Sequence, residues 1–214
     1  MPLIHSDNQD STSHSLAVWH ASEELSFFEE WIIPYAEERT QLRGLSEKKT
    51  KEWFTSRYLV HYLLGSEDRH PCLKDEFGKP FIREMPMHLS ISHSDKFSAA
   101  IIGGAMVGID IQVLVPKIER IAHKFMSVSE LEDISDKDTR LEYLHVYWGA
   151  KESLYKAYGR RGIDFIKELF IDAFDFNPKG TIFSGYVAKE NFVKEFKITS
   201  KIIQNAMLVY AIEI

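Results

Sequence analysis

The sequence predicts an α+β chain made of two related lobes. Capped, amphipathic helical runs alternate with short strand-like runs, so neither element type builds the fold alone. Trp53-Phe54 and Gly65 match Tyr147-Trp148 and Gly159 at one constant offset, which also lays Arg57 on Lys151. With 214 residues there is room for one large domain or two small lobes, since a folded chain of that size buries roughly 70% of the surface its extended form exposes. The expected division is a loose polar lead-in over 1–14, an N-terminal lobe over 15–103 and a C-terminal lobe over 104–214.

Along the first lobe, Leu16–Ala21 reads as a strand and Glu23–Ile33 as an amphipathic helix. A longer helix runs to Leu64 with Ser46 as its N-cap and Gly65 as its stop, carrying Trp53, Phe54, Tyr58, Val60 and Leu64 at helical spacing. Residues 66–88 are punctuated by Pro71, Gly78, Pro80 and Pro86 and read as loop-rich. Phe97–Ile102 and Ala105–Val113 read as strands, and Gly103-Gly104 between them predicts a two-residue hairpin. That register sets Phe97 opposite Asp110 and brings the Ser92-His93-Ser94 segment near Gln112. Alternation along the strand turns Gly108, Asp110 and Gln112 to one face and Val107, Ile109 and Ile111 to the other.

In the second lobe a helix is expected from about Thr139 to Tyr158, closed by Gly159. Tyr143, Tyr147, Ala150, Leu154, Ala157 and Tyr158 form its apolar face, and Trp148, Glu152 and Lys156 a ridge on the opposite side. Strand-like runs follow at 182–188, 194–200 and 207–213.

Composition narrows the function classes. A net charge of −6 argues against a general nucleic-acid binder, which needs a basic footprint. The single cysteine, Cys72, excludes an internal disulfide framework and fits a reducing compartment. The N-terminal residues lack the basic start and apolar stretch of a signal peptide, and the most apolar run, Ala99 to Ile111, is too short for a membrane span. A cytoplasmic location is therefore expected. No P-loop, G-x-G-x-x-G, H-E-x-x-H, C-x-x-C or G-x-S-x-G occurs.

What remains is a strand aspartate, Asp110, a helix glutamate, Glu152, and lysines beside both. Mg²⁺ takes oxygen ligands, often one or two carboxylates plus substrate phosphates. Each residue has a plain alternative: Asp110 as a polar strand end, and Glu152 with Lys156 as an exposed i, i+4 ion pair worth about 0.2–0.5 kcal/mol.

The ordered set decides between them. Gly78-Lys79-Pro80, Leu89-Ser90-Ile91-Ser92-His93-Ser94, Val107-Gly108-Ile109-Asp110-Ile111-Gln112 and Trp148-Gly149-Ala150-Lys151-Glu152-Ser153-Leu154-Tyr155-Lys156-Ala157 resemble the 4′-phosphopantetheinyl transferases. Phe125-Met126-Ser127-Val128-Ser129-Glu130 is similar to that family's connecting segment. By motif the resemblance spans about residues 78–159.

The resemblance implies an enzyme that moves the phosphopantetheine arm of coenzyme A to a serine of an apo acyl or peptidyl carrier protein, releasing adenosine 3′,5′-bisphosphate. Chain length and the internal match fit the doubled, monomeric, surfactin-synthetase-activating class: two lobes related by a pseudo-twofold, each a small antiparallel sheet packed on helices, with the coenzyme between them. It further implies Mg²⁺, with Mn²⁺ as an alternative, held by Asp110 and Glu152 with Gln112 directly or through water. Glu152 or a metal-bound water would take the serine proton, and Lys156 would stabilise or protonate the leaving phosphate. Lys79, Ser92 and His93 would contact the coenzyme's phosphates, with Arg57, Arg43 and Lys49 as candidates for the 3′-phosphate side. Lys117, Arg120 and Lys124 would form a basic docking stripe for the carrier.

One departure stands out: the family commonly has an acid where this chain has Gln112. Two rival readings are a non-catalytic module that binds coenzyme A or a carrier, and a magnesium-dependent nucleotide phosphatase. The retained Glu152 and Lys156 speak against the first, and the lack of richer acidic clusters against the second.

Overall fold

A computed structural model describes residues 3–8 and 14–214. They form two compact units, Met1–Ala105 and Met106–Ile214.

The first unit is built on a six-stranded antiparallel sheet. Its strands are β1 (Leu3–Asn8), β2 (His14–His20), β3 (Cys72–Lys74), β4 (Pro80–Ile82), β5 (His88–Ser94) and β6 (Phe97–Gly103), in the order β1-β2-β6-β5-β4-β3. Three helices accompany it: α1 (Leu25–Trp31), α2 (Arg39–Leu42) and α3 (Glu47–Leu64). Ser46 caps α3 by accepting from the Lys49 amide, and Gly65 closes it in the left-handed region, both as the sequence indicates. The α3 helix packs on β6 and β2. The core joins Trp19, Phe28, Ile32, Trp53, Phe54, Leu59 and Leu89, and burial of each such side chain contributes about 1.5–3 kcal/mol.

Two expectations are corrected here. The lead-in is not loose over its described part, because β1 pairs with β2 from Leu3↔Trp19 to Asn8↔Ser15. Residues 1, 2 and 9–13 lie outside the described residues. The loop-rich stretch 66–88 also contains the short strands β3 and β4.

The second unit has a five-stranded antiparallel sheet of β7 (Val107–Val113), β8 (Leu169–Ile171), β9 (Thr181–Lys189), β10 (Phe192–Ile203) and β11 (Ala206–Glu213), ordered β7-β11-β10-β9-β8. A 3-10 helix over Pro116–Lys124, α4 (Val128–Glu132) and the long α5 (Arg140–Tyr158) complete it. Gly159 closes α5 in the left-handed region, as Gly65 closes α3. The α5 helix lies on β7 and β11, and its residues Val146, Ala150, Leu154 and Ala157 are fully buried.

The expected hairpin at Gly103-Gly104 does not form. β6 pairs with β2 and β5, whereas β7 pairs with β11, so Phe97 lies opposite Ser94 and His20, and Asp110 opposite Val209. Neither glycine has the positive φ that the predicted turn requires. Among the described residues, two-residue hairpins are at Asp95-Lys96, Glu190-Asn191 and Gln204-Asn205, each with its first residue at positive φ.

No helix among the described residues is long and apolar enough to cross a membrane.

Candidate functional site

In the second unit, strand alternation turns Gly108, Asp110 and Gln112 toward α5, the face that the sequence pattern indicates. A Cβ on Gly108 would lie 1.8 Å from the Ser153 carbonyl oxygen, so only glycine lets the helix approach this closely. Lys156 Nζ donates to Asp110 Oδ1 at 2.8 Å and to the Ile109 carbonyl at 2.9 Å. Gln112 Nε2 donates to the His145 carbonyl at 3.1 Å. Successive inward positions of β7 thus meet successive turns of α5. Gly149 continues the close packing, since a Cβ there would come within 2.6 Å of Val209 Cγ2 and 3.4 Å of Gln112 Nε2.

Glu152 stands on the same helix, half-buried. Burial first, and the negative charge of Asp110 second, push its carboxyl up to about 7, while Lys156 pulls the other way. A protein carboxyl held this high is near half-ionised at neutral pH, the state suited to a general base. The site has two acids, one ammonium and an amide oxygen. Among the described residues no group of three or more His, Cys, Asp or Glu gathers as a metal site. The donor set nevertheless fits a hard cation, because the Asp110 charge that raises the Glu152 carboxyl makes positive charge favoured beside it. The ligands still needed would be neutral oxygens, such as the Gln112 amide, or oxygens of the substrate.

Two features at α5 escaped the sequence reading. Lys151, next to Glu152, is fully buried and paired with Glu130 at 2.9 Å. Glu130 is also the third residue of a capping box with Ser127 at the start of α4. Burial lowers the Lys151 pKa and Glu130 counters it. The S-x-x-E pattern at 127–130 was the available signal. Second, Phe165 was missed: Trp148 and Tyr155, which helical spacing already sets on Glu152's side, converge on it with ring centroids 6.0 and 5.7 Å apart, giving an aromatic wall. Phe165 sits in a loop, where periodicity carries no information.

In the first unit, Lys49, Arg57, Lys74 and His93 line a cavity of about 210 Å³ together with Gln41 and Trp53. Arg57 is 5% exposed. It donates to Gln41 Oε1 at 2.7 Å and to the Cys72 carbonyl at 3.2 Å, and lies over the Trp53 ring at 4.4 Å. His93 Nε2 is 3.0 Å from the Glu52 carbonyl. Lys49 pairs with Glu52 at 2.6 Å. Arg43 is exposed just after α2 and does not line the cavity. Ser92 is buried on β5, and Lys79 follows Gly78 in the β3–β4 turn, its pKa lowered by burial. Lys74 is a cation the sequence reading passed over, because a three-residue strand leaves little pattern. Lys117, Arg120 and Lys124 are all exposed, but they lie on a 3-10 helix, where i and i+3 eclipse and i+7 falls a third of a turn away.

A strand aspartate facing a helix glutamate and lysine, beside an amide and an aromatic wall, gives this α+β unit a cluster of opposed charges on α5 and β7. Comparison with known proteins shows what this unit is similar to. Residues 106–204 match the model of the 4′-phosphopantetheinyl transferase superfamily. The 4′-phosphopantetheinyl transferase Sfp of Bacillus subtilis (strain 168) is 36% identical over 88 residues, 40% of this chain and 39% of the relative. The 4′-phosphopantetheinyl transferase gsp of Aneurinibacillus migulanus is 30% identical over 123 residues, 56% of this chain and 52% of the relative. The matches thus span about two fifths to one half of these relatives' length. The second unit is thus similar over most of its length to the 4′-phosphopantetheinyl transferase superfamily model, and the chain is similar in part to relatives of the Sfp type.

Proposed function

We propose that this protein is a 4′-phosphopantetheinyl transferase that moves the phosphopantetheine arm of coenzyme A to a serine of an apo acyl or peptidyl carrier protein, releasing adenosine 3′,5′-bisphosphate. The observation that carries this reading is the convergence of Asp110, Glu152 and Lys156 across β7 and α5.

Asp110 and Glu152, with the Gln112 oxygen, would hold Mg²⁺ or Mn²⁺. The bound ion supplies neutralisation of diphosphate charge. The chain's own groups do the rest. Glu152 takes the proton of the incoming serine hydroxyl as its oxygen forms a bond to the β-phosphorus and the bond to the bridging oxygen breaks. Lys156, held by Asp110 and the Ile109 carbonyl, presents an ammonium to the departing phosphate. Such transfer depends mainly on positioning and electrostatics. The Trp148–Tyr155–Phe165 wall offers apolar contact to the arm.

Arg57, Lys49 and Lys74, with His93 and the acid Glu52, line a cavity suited to the 3′-phosphate, with Arg57 fixed by its hydrogen bonds before any ligand arrives. Lys79 and Ser92 are assigned to the remaining phosphates and Arg43 to the outer adenine side. Lys117, Arg120 and Lys124 are assigned to an acidic carrier, and the protein to a monomer acting in the cytoplasm.

The test is mass spectrometry of an apo carrier protein incubated with coenzyme A and Mg²⁺. The expected result is a gain of one phosphopantetheine arm, lost in Glu152→Ala. Binding of coenzyme A without any gain across acyl and peptidyl carriers would instead make this a binding module.

A further inference from the structure

We propose that the second unit carries a recognition site for an organic ammonium group on the side of α5 turned away from Glu152. At about 100° of rotation per helical residue, Tyr143 stands about 180° and Tyr147 about 140° around α5 from Glu152. There, a cavity of about 450 Å³ is lined by the rings of Tyr143, Tyr147 and Phe174 and by Asp133, Lys137 and Asp175.

The walls select the ligand's chemistry. Phe174 contacts both tyrosine rings, with centroids 5.3 Å from Tyr143 and 5.4 Å from Tyr147, and stacks on Phe183 at 4.3 Å, so it backs the tyrosine rings rather than offering a free face. Aromatic faces attract cations through their quadrupole. Asp133 and Asp175 are exposed and make no ion pair among the described residues, so both charges are open to an incoming cation. Tyr147 is only 4% exposed, yet its hydroxyl has no hydrogen-bond partner among the described residues. The ring is buried while the hydroxyl opens onto the cavity, where water or a ligand can meet it. Burial pushes its pKa up to about 12, so it stays a neutral phenol that accepts from a bound N–H or donates to a carboxylate.

The molecule already places a cation here. Lys137 Nζ lies 5.1 Å from the centroid of the Tyr143 ring. It shows which chemistry the rings accept and occupies one of them. An anion is disfavoured by both carboxylates and ring faces. A bare metal ion would have to shed water against aromatic carbon. An alkylammonium meets all three wall types, its methylenes against the rings and its N–H groups toward Asp133, Asp175 and the Tyr147 oxygen. The same chemistry comes from two sources, a free polyamine or the lysine side chain of a protein.

The experiment titrates the full chain with n-butylammonium, following the ring signals of Tyr143, Tyr147 and Phe174 by NMR, with n-butanol as the uncharged control. Saturable shifts with n-butylammonium and about tenfold weaker binding of n-butanol are expected. The double variant Asp133→Asn, Asp175→Asn should weaken binding about tenfold, and Lys137→Met should strengthen it about threefold by vacating the Tyr143 ring. All three positions are exposed, so these variants keep the fold, checked by thermal melting. Equal binding of n-butanol, absence of saturable shifts, or affinity unchanged in both variants overturns the proposal. Spermidine and Nα-acetyl-lysine N-methylamide form the second arm: the tighter binder identifies the source, and failure of both overturns the site.

Discussion

Lys156 Nζ and Asp110 Oδ1 lie 2.8 Å apart across 46 residues of chain, joining the helix of the second unit to its first strand. The i, i+4 spacing of Glu152 and Lys156 suggested an exposed pair on one helix. The ammonium is instead drawn to the carboxylate of the strand, and this sets both the charge of the site and the position of the helix.

Breaking that contact should therefore cost stability as well as activity. Lys156→Ala leaves Asp110, 6% exposed, facing α5 without the ammonium. An expected loss is about 2 kcal/mol, reduced from the buried-pair range because the Lys156 side chain is 25% exposed. Urea unfolding of Lys156→Met, Asp110→Asn and the double variant should return a coupling of about 1 kcal/mol or more. Additive losses would show the pair to be inconsequential.

Glu152 should trade stability for function. Its folded pKa, about 7, is above the ordinary 4.5. For a carboxyl raised on folding, the native state holds the extra proton between those values. Stability relative to an ordinary carboxyl is then full below 4.5 and falls as pH rises to 7 and beyond, by on the order of 3 kcal/mol. Glu152→Gln should melt higher than the parent at pH 8, with little difference at pH 4, when Mg²⁺ is absent. Its transfer rate should drop about a hundredfold or more. A stability gain equal at both pH values would show that ionisation of Glu152 is not its cause.

Position 112 should reverse sign with metal. Gln112→Glu replaces the donor to the His145 carbonyl with a carboxylate, so without Mg²⁺ it should destabilise by about 1–2 kcal/mol. With Mg²⁺ the added charge should lower the concentration giving half-maximal activity. Unchanged magnesium dependence would separate position 112 from the metal.

Gly108→Ala tests the close approach of α5 to β7. A Cβ 1.8 Å from the Ser153 carbonyl forces the helix outward, for an expected loss of about 3 kcal/mol or more, read by thermal or urea unfolding. A near-neutral change would mean the helix is not held at this distance.

In the first unit, Arg57→Lys should reduce the preference for coenzyme A over its 3′-dephospho form. A lysine cannot hold the contacts that Nη1 makes to Ser56 and Nη2 makes to Gln41 and the Cys72 carbonyl while meeting a phosphate. The expected reading is an about tenfold rise in KM for coenzyme A, a small change for the dephospho form and little effect on kcat. Equal effects on both would remove the 3′-phosphate from this cavity.

The sequence by itself determined what local physics controls. Ser46 and Gly65, like Gly159, mark helix ends because the unpaired backbone groups there depend on the immediate residue. The parity of β7 was also legible, since alternation turns Gly108, Asp110 and Gln112 together whatever the strand's neighbours. Tertiary structure alone decided which strands pair. Gly103-Gly104 looks like a hairpin, yet β7 takes β11 as its partner and β6 takes β2 and β5. It also decided that Lys156 meets Asp110, and that Lys151 is buried on Glu130. Those contacts join residues far apart in the chain, and their energies come from packing and desolvation that exist only once the sheet and helix are together.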